Sequence, residues 1–263
     1  MRDVQSQPDL RNIPIDRVGV KNLRYPITVL DRTNRIQHTI GSINLYVNLP
    51  HHFRGTHMSR FIEILNEYHR TLHIDKIGEI LQKTKRKLHA EEAHIEVHFP
   101  YFIEKSAPVS KTKSLMEYGC FFSGTLGEKE DFVLGVEVPV TTLCPCSKEI
   151  AKYGAHNQRS MVRIQIRYQG FVWLEELIEI AEASASSPIY ALLKRSDEKS
   201  VTERAYENPR FVEDVVREVS LQLDKDPRIL WYRVESENLE SIHNHNAYAL
   251  VERTPVRKMN SNG

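Results

Sequence analysis

Residues 138–160 hold the chain's densest set of chemically competent side chains: Val-Pro-Val-Thr-Thr-Leu-Cys-Pro-Cys-Ser-Lys-Glu-Ile-Ala-Lys-Tyr-Gly-Ala-His-Asn-Gln-Arg-Ser. Cys144 and Cys146 stand one residue apart, and His156 follows within the same stretch. Sulfur and imidazole nitrogen gathered this closely suit a borderline metal such as zinc. The plainer alternative is a pair of partly buried thiols in a turn shaped by Pro145. A redox dithiol fits less well, because no thioredoxin-like βαβ pattern surrounds the pair. Across an extended turn, alternate side chains point to opposite sides, so one of the two cysteines, and not both, is expected to face a metal. Gly154 and Ala155 leave room for close approach to His156, whereas His51, His52, His69, His73 and His89 read as ordinary solvated or backbone-bonded histidines.

Other polar groups are less distinctive on their own. Asp197-Glu198-Lys199 follows Leu192-Leu193-Lys194-Arg195 and reads as a solvated charge run at a helix end. Glu213 sits at the margin of an apolar helical stripe, the usual place of a surface carboxylate. His243 and His245 lie in Glu240-Ser-Ile-His-Asn-His-Asn, ordinary chemistry for a turn between strands. His57-Met58-Ser59-Arg60 can hold an anion at a helix N-terminus or simply cap it. Neither a Walker A sequence nor a Rossmann glycine fingerprint is present.

The elements that must position these groups recur in one order. Strand-like runs at 23–30 and 36–49 precede amphipathic helices carrying Phe61, Ile62, Leu65, Tyr68 and Leu72, and then Ile77, Ile80 and Leu81 within 74–88. Strands at 93–99 and 114–124 follow. The second half repeats this with strands at 132–140 and 161–168, helices at 174–193 and 209–223, and strands at 229–237 and 246–252. Asn208 and Pro209 read as the cap and first residue of the later helix, whose stripe is Phe211, Val212, Val215, Val216 and Val219. The pattern predicts two related α+β modules, 1–126 with an N-terminal arm and 127–263, each an antiparallel sheet with two helices on one face. The polar turn Gly127-Glu-Lys-Glu-Asp marks the boundary.

Composition bounds the function. Lys+Arg 36 against Asp+Glu 35 gives a net charge of +1, so the broad basic footprint of a nucleic-acid binder is absent. Three cysteines in 263 residues do not make a disulfide framework. No apolar run approaches the ~20 residues of a membrane helix, and the first residues lack a signal-peptide h-region. A cytoplasmic protein is expected.

Several motifs, in order, carry a family resemblance: Asp3-Val-Gln-Ser-Gln, Val18-Gly-Val-Lys-Asn-Leu-Arg-Tyr-Pro-Ile, Gly55-Thr-His-Met-Ser-Arg-Phe, Leu143-Cys-Pro-Cys-Ser-Lys-Glu, Tyr153-Gly-Ala-His-Asn-Gln-Arg-Ser, Asp197-Glu-Lys, Thr202-Glu-Arg-Ala-Tyr-Glu-Asn-Pro, Glu235-Ser-Glu-Asn and Glu240-Ser-Ile-His-Asn-His. With these, nearly end to end, the chain resembles GTP cyclohydrolase type IB, a prokaryotic family that opens folate and related pterin biosynthesis. The resemblance implies two tandem tunnelling-fold modules and a homotetramer with active sites at subunit interfaces. It implies Cys144, His156 and Glu198 as metal ligands, with Cys144 and His243 catalytic and Glu213 anchoring the guanine edge. It also implies ring opening of GTP with release of formate and formation of 7,8-dihydroneopterin triphosphate. The mixed donor set admits zinc, manganese or iron(II). Two other readings remain open. One is a tunnelling-fold nitrile reductase of queuosine biosynthesis, with a cysteine nucleophile and NADPH; the other is a non-catalytic purine-binding zinc protein.

Overall fold

The computed structural model describes residue 5 and residues 7–68 and 76–255. In chain order the elements are β1 (Ile15–Asp31), β2 (Arg35–Leu49), α1 (Met58–Glu67), α2 (Ile77–Leu88), β3 (Ala93–Ser106), β4 (Lys113–Leu126) and β5 (Glu130–Leu143). They continue with α3 (Pro145–Ile150), β6 (Asn157–Tyr168), α4 (Leu174–Ser184), β7 (Ser187–Pro188), α5 (Arg195–Glu207), α6 (Val212–Lys225), β8 (Ile229–Asn238) and β9 (Ala247–Arg253). Leu72, His69 and His73, and the predicted helix start at Ile74, lie outside the described residues, as do Asp3, Val4 and Ser6 of the first motif.

The described residues fall into two compact units, one within 1–100 and 121–134, the other within 101–120 and 135–263. In the first, strand order begins β1-β2-β3, and both pairings are antiparallel. Ile43 faces Val97, Leu45 faces Ile95 and Val47 faces Ala93 across β2 and β3. All six are buried, so the period-2 alternation fixes the register: a one-residue slip would turn the whole apolar set to the opposite face. β1 carries register shifts next to Gly19, where an added Cβ would lie 2.0 Å from the Leu45 carbonyl oxygen; only glycine permits that approach. Helices α1 and α2 pack on each other, α1 also on β1 and α2 on β2. They bury Phe61, Ile64 and Leu65, and Ile77, Ile80 and Leu81. Ile64 takes the core position that the sequence spacing assigned to Ile62, which is only half-buried.

In the second unit β6 pairs antiparallel with β8 and β8 with β9. The facing pairs Ile164–Val234 and Ile166–Tyr232 are fully buried. Helix α6 lies on β8, β9 and α4 through Val212, Val215, Val216, Val219 and Leu223. Each such side chain contributes roughly 1.5–3 kcal/mol by leaving water.

The structure departs from three local expectations. Asn208 does not cap α6. It ends α5, and its amide donates to the carbonyls of Ala185 and Ser186. Helix α6 starts three residues later than expected, because the Phe211 amide finds its acceptor in the Asp214 carboxylate at 2.9 Å. Phe211 is accordingly 39% exposed and outside the buried stripe. The single helix read at 174–193 is the shorter α4, followed by the short strand β7 and a separate helix, α5, with a polar sequence and little apolar periodicity.

Replacing a fully buried α2 side chain should be costly. Leu81→Ala is expected to lower unfolding stability by about 2–5 kcal/mol, seen as a reduced denaturant midpoint by circular dichroism.

Candidate functional site: the Cys144–His156 loop

The site is built in the second unit on a loop whose two ends are bonded together. The Cys144 amide donates to the His156 carbonyl at 3.1 Å, closing residues 144–156 where β5 leaves and β6 begins. Ser147 fills the closure. Its hydroxyl donates to the Cys144 carbonyl at 3.2 Å and accepts from the His156 amide at 3.2 Å, and its own amide donates to Cys144 Sγ at 3.4 Å. One serine thereby positions both the cysteine and the histidine. Residue type alone gives no sign of this role; its spacing three residues after a helix cap does.

The local backbone differs from the expected extended turn. Cys144 is extended (φ −69°, ψ 117°) and caps α3, with Pro145 in the first turn. Cys146 is therefore helical, and strand alternation is not what distinguishes the two thiols. They differ because Cys144 Sγ is the cap acceptor and half-buried, whereas Cys146 points outward and is exposed.

The His156 ring is 14% exposed and held on its Nδ1 side. Nδ1 lies 3.0 Å from Gln158 Oε1, with Glu240 Oε2 at 3.9 Å. Behind Gln158 a buried polar chain runs into the sheet: Gln158 Nε2 donates to Thr142 Oγ1 at 2.8 Å, Thr142 and Ser160 share a 2.7 Å bond, and Ser160 donates to Asn238 Oδ1 at 2.7 Å. Gln158, Thr142, Ser160 and Asn238 are all buried. These strands alternate apolar and polar residues, and this polar set occupies inward positions that an apolar pattern would leave to valine or isoleucine.

Other expected site residues enter through the same loop. The Arg210 amide donates to the carbonyl of Leu143, next to Cys144, so the start of α6 and its first-turn Glu213 are tied to the cysteine. Glu213 is exposed on this chain, as its place at the margin of the apolar stripe implied. The Leu239 amide donates to Arg159, and Glu240 reaches the His156 ring, so the segment carrying His243 leaves from beside the histidine. His243 is exposed and stacked on His245, ring centroids 5.0 Å apart.

Glu198 lies in the first turn of α5, not at a helix end, and is exposed. Its neighbour Asp197, read in the sequence as part of a solvated charge run, is fully buried. Asp197 accepts from the amides of Val109 and Ser110, the Ser110 hydroxyl and the Lys194 amide, at 2.6–2.8 Å. Those bonds hold its pKa well below the ordinary carboxylate range, against the opposing effect of burial. Lys148 of α3 donates to the carbonyl of Tyr206 near the other end of α5.

A divalent metal was expected here. Cys144 and His156 fit it by donor type and by the bonds that bring them together. Among the described residues no three His, Cys, Asp or Glu side chains gather closely enough to hold a metal, so Glu198 is not brought to the pair within the chain. No described helix is long and apolar enough to cross a membrane.

Because Asp197 is bonded as an anion, its contribution is present above the ordinary carboxylate pKa of about 3.9 and is lost as pH falls through its depressed folded value. Asp197→Ala should therefore lower the denaturant midpoint clearly at pH 7. The gap to wild type should narrow as pH falls below that of ordinary carboxylates.

Known proteins place this architecture. Urate oxidase from Bacillus subtilis 168 superposes with TM-score 0.52 at 10% identity, covering 90% of this chain and 98% of that one. A highly active mutant of Bacillus sp. TB-90 urate oxidase gives 0.53 at 11%, covering 91% and 100%. These likenesses establish the α+β tunnelling fold. A family model described as type I GTP cyclohydrolase folE2 matches residues 1–249. GTP cyclohydrolase FolE2 of Citrifermentans bemidjiense is 60% identical over 254 residues, 97% of this chain and 95% of the relative. The FolE2 of Geobacter sulfurreducens is 60% identical over 252 residues, covering 96% and 98%. The chain belongs to the type I GTP cyclohydrolase FolE2 family.

Proposed function

We propose that this protein is a metal-dependent GTP cyclohydrolase catalysing the first step of folate and pterin biosynthesis. It opens the guanine imidazole ring at C8, releases formate and forms 7,8-dihydroneopterin triphosphate. Family membership supports the activity. The observation that carries the site assignment is the bonded loop, which gathers Cys144 and His156 and attaches to it both the start of α6 and the His243 segment.

Cys144 and His156 would hold a divalent ion (zinc, manganese or iron(II)), with Glu198 as the third protein ligand and Cys144 thereby part of the catalytic centre. Such an ion supplies Lewis acidity and a hydroxide source near neutral pH, which addition of water to an unactivated C8 requires. His243 is assigned to proton exchange as the ring nitrogen leaves. Glu213 is assigned to the guanine N1–H and exocyclic amine, two donors that select guanine over adenine.

Glu198, Glu213 and His243 are all exposed on one chain. That exposure fits a site completed by a second subunit, and we infer a homotetramer with active sites at its interfaces. The nitrile-reductase reading needs neither a metal trio nor formate release, and the purine-binding zinc protein needs no turnover. Incubating metal-reconstituted protein with GTP, following formate and pterin fluorescence, tests the activity. NADPH oxidation by a nitrile substrate without formate from GTP would favour the reductase, and metal retention without either product the binding protein.

Cys144→Ala is expected to abolish turnover and lower metal content, and Cys146→Ala to cost much less; equal metal loss in both would indicate a dithiolate site. Glu198→Gln should lower metal occupancy. Glu213→Ala should fold and keep its metal while losing GTP affinity. Loss of a charged hydrogen-bonding partner costs about 1.5–3 kcal/mol, roughly tenfold to a few hundredfold, measurable by direct titration of the metal-loaded variant.

A further inference from the structure

The polar chain behind His156 has a direction, and the direction decides which ring nitrogen can donate to a ligand. Each amide can present either its oxygen or its NH2, and each hydroxyl donates one proton. Following the donors therefore leaves two self-consistent polarities for His156–Gln158–Thr142–Ser160–Asn238. In one, Asn238 Oδ1 accepts from Ser160, Ser160 accepts from Thr142, and Thr142 accepts from Gln158 Nε2. Gln158 Oε1 is then left facing the imidazole, and Nδ1 must carry the proton. In the other, every bond is reversed, Gln158 presents its NH2 to Nδ1, and the proton sits on Nε2.

The structure has the first arrangement at both ends. Ser160 donates to Asn238 Oδ1 at 2.7 Å, and Gln158 presents Oε1 to Nδ1 at 3.0 Å while its Nε2 donates to Thr142 at 2.8 Å. An independent feature favours the same state: the Glu240 carboxylate lies 3.9 Å from Nδ1 and so prefers a proton there. Burial sharpens the choice, because a mixed polarity strands a donor or an acceptor among groups that have no water to turn to.

We propose that Gln158, Thr142, Ser160 and Asn238 are positioning residues that lock His156 in the Nδ1–H tautomer, presenting the Nε2 lone pair as its ligand-donating atom. This rests on the reading of His156 as a metal ligand and deepens it: the metal affinity of the loop is set in part by an amide, Asn238, that lies four hydrogen bonds away. Outer partners that fix a histidine's tautomer typically change metal affinity 10–100-fold when removed.

The tautomer can be read without any metal. In metal-free, full-length protein, at a pH where the ring is neutral, 15N NMR of His156 should show the proton on Nδ1. Thr142→Val removes the acceptor that orients Gln158. Combined with Glu240→Gln, which removes the carboxylate's own preference for a proton on Nδ1, it should yield mixed tautomers and about tenfold weaker zinc binding in chelator competition. Gln158→Glu, which offers the ring only acceptors, and Asn238→Asp, which can only accept from Ser160, should each keep the Nδ1–H form; they also serve if the valine variant does not fold. An Nε2 proton in the wild type, or an unchanged tautomer in folded Thr142→Val/Glu240→Gln, overturns the proposal. If the tautomer behaves as stated but His156→Ala binds zinc as tightly as wild type, the relay stands and the assignment of His156 as a metal ligand fails.

Discussion

The hydrogen bond from the Cys144 amide to the His156 carbonyl is the constraint on which the site depends. Without it, the two borderline-soft donors would sit at the ends of a loop free to separate, and the ordering entropy would have to be met when a ligand bound. With it, the loop closes on itself, and Ser147 turns the closure into geometry by bonding to both donor residues. Both residues are thus held by groups other than their own side chains, which would preorganise them for the proposed metal.

The same closure organises the surroundings. Leu143 receives the Arg210 amide and donates its own amide to the buried Ser186 hydroxyl at 3.1 Å, which fixes where α6 begins relative to the loop. The β6–β8 pairing aligns Ser160 with Asn238, so the sheet register itself delivers the last member of the polar chain behind His156. Asp197 does a comparable task for α5, holding its first turn to the tip of the β3–β4 hairpin at Val109 and Ser110. These are polar devices within an apolar frame of buried valine, isoleucine and tyrosine. By contrast Glu198, Glu213 and His243, the other residues proposed for the site, are exposed on the single chain.

Much of this was legible in the sequence where periodicity is strong. The strand at β2 and the buried faces of α2 and α6 follow from alternation at period 2 and period 3.6. Donor chemistry drew attention to Cys144 and His156, and the backbone bond that joins the two residues was not visible in it. What stayed hidden has identifiable causes. Helix α5 carries charged and polar residues on most faces, so no apolar stripe announces it, and Asp197-Glu198 looked like a helix end when it is a beginning. Helix α3 is a single short turn set by a proline and a sulfur cap. Asn208 followed by Pro209 imitates a helix start, yet Asp214 supplies the better acceptor three residues beyond Phe211. The tautomer relay joins Gln158 and Ser160 of β6 to Thr142 of β5 and Asn238 of β8, and only the register of the three strands brings them into line.

On the proposed reading, Cys144 and His156 form one preorganised donor pair, with a single sulfur. X-ray absorption spectroscopy of the zinc-loaded protein tests it most directly. The expected spectrum has one sulfur at about 2.3 Å and nitrogen or oxygen donors at about 2.0–2.2 Å, with the sulfur scattering lost in Cys144→Ala and kept in Cys146→Ala. A shell with two sulfurs, or one without sulfur, would contradict it.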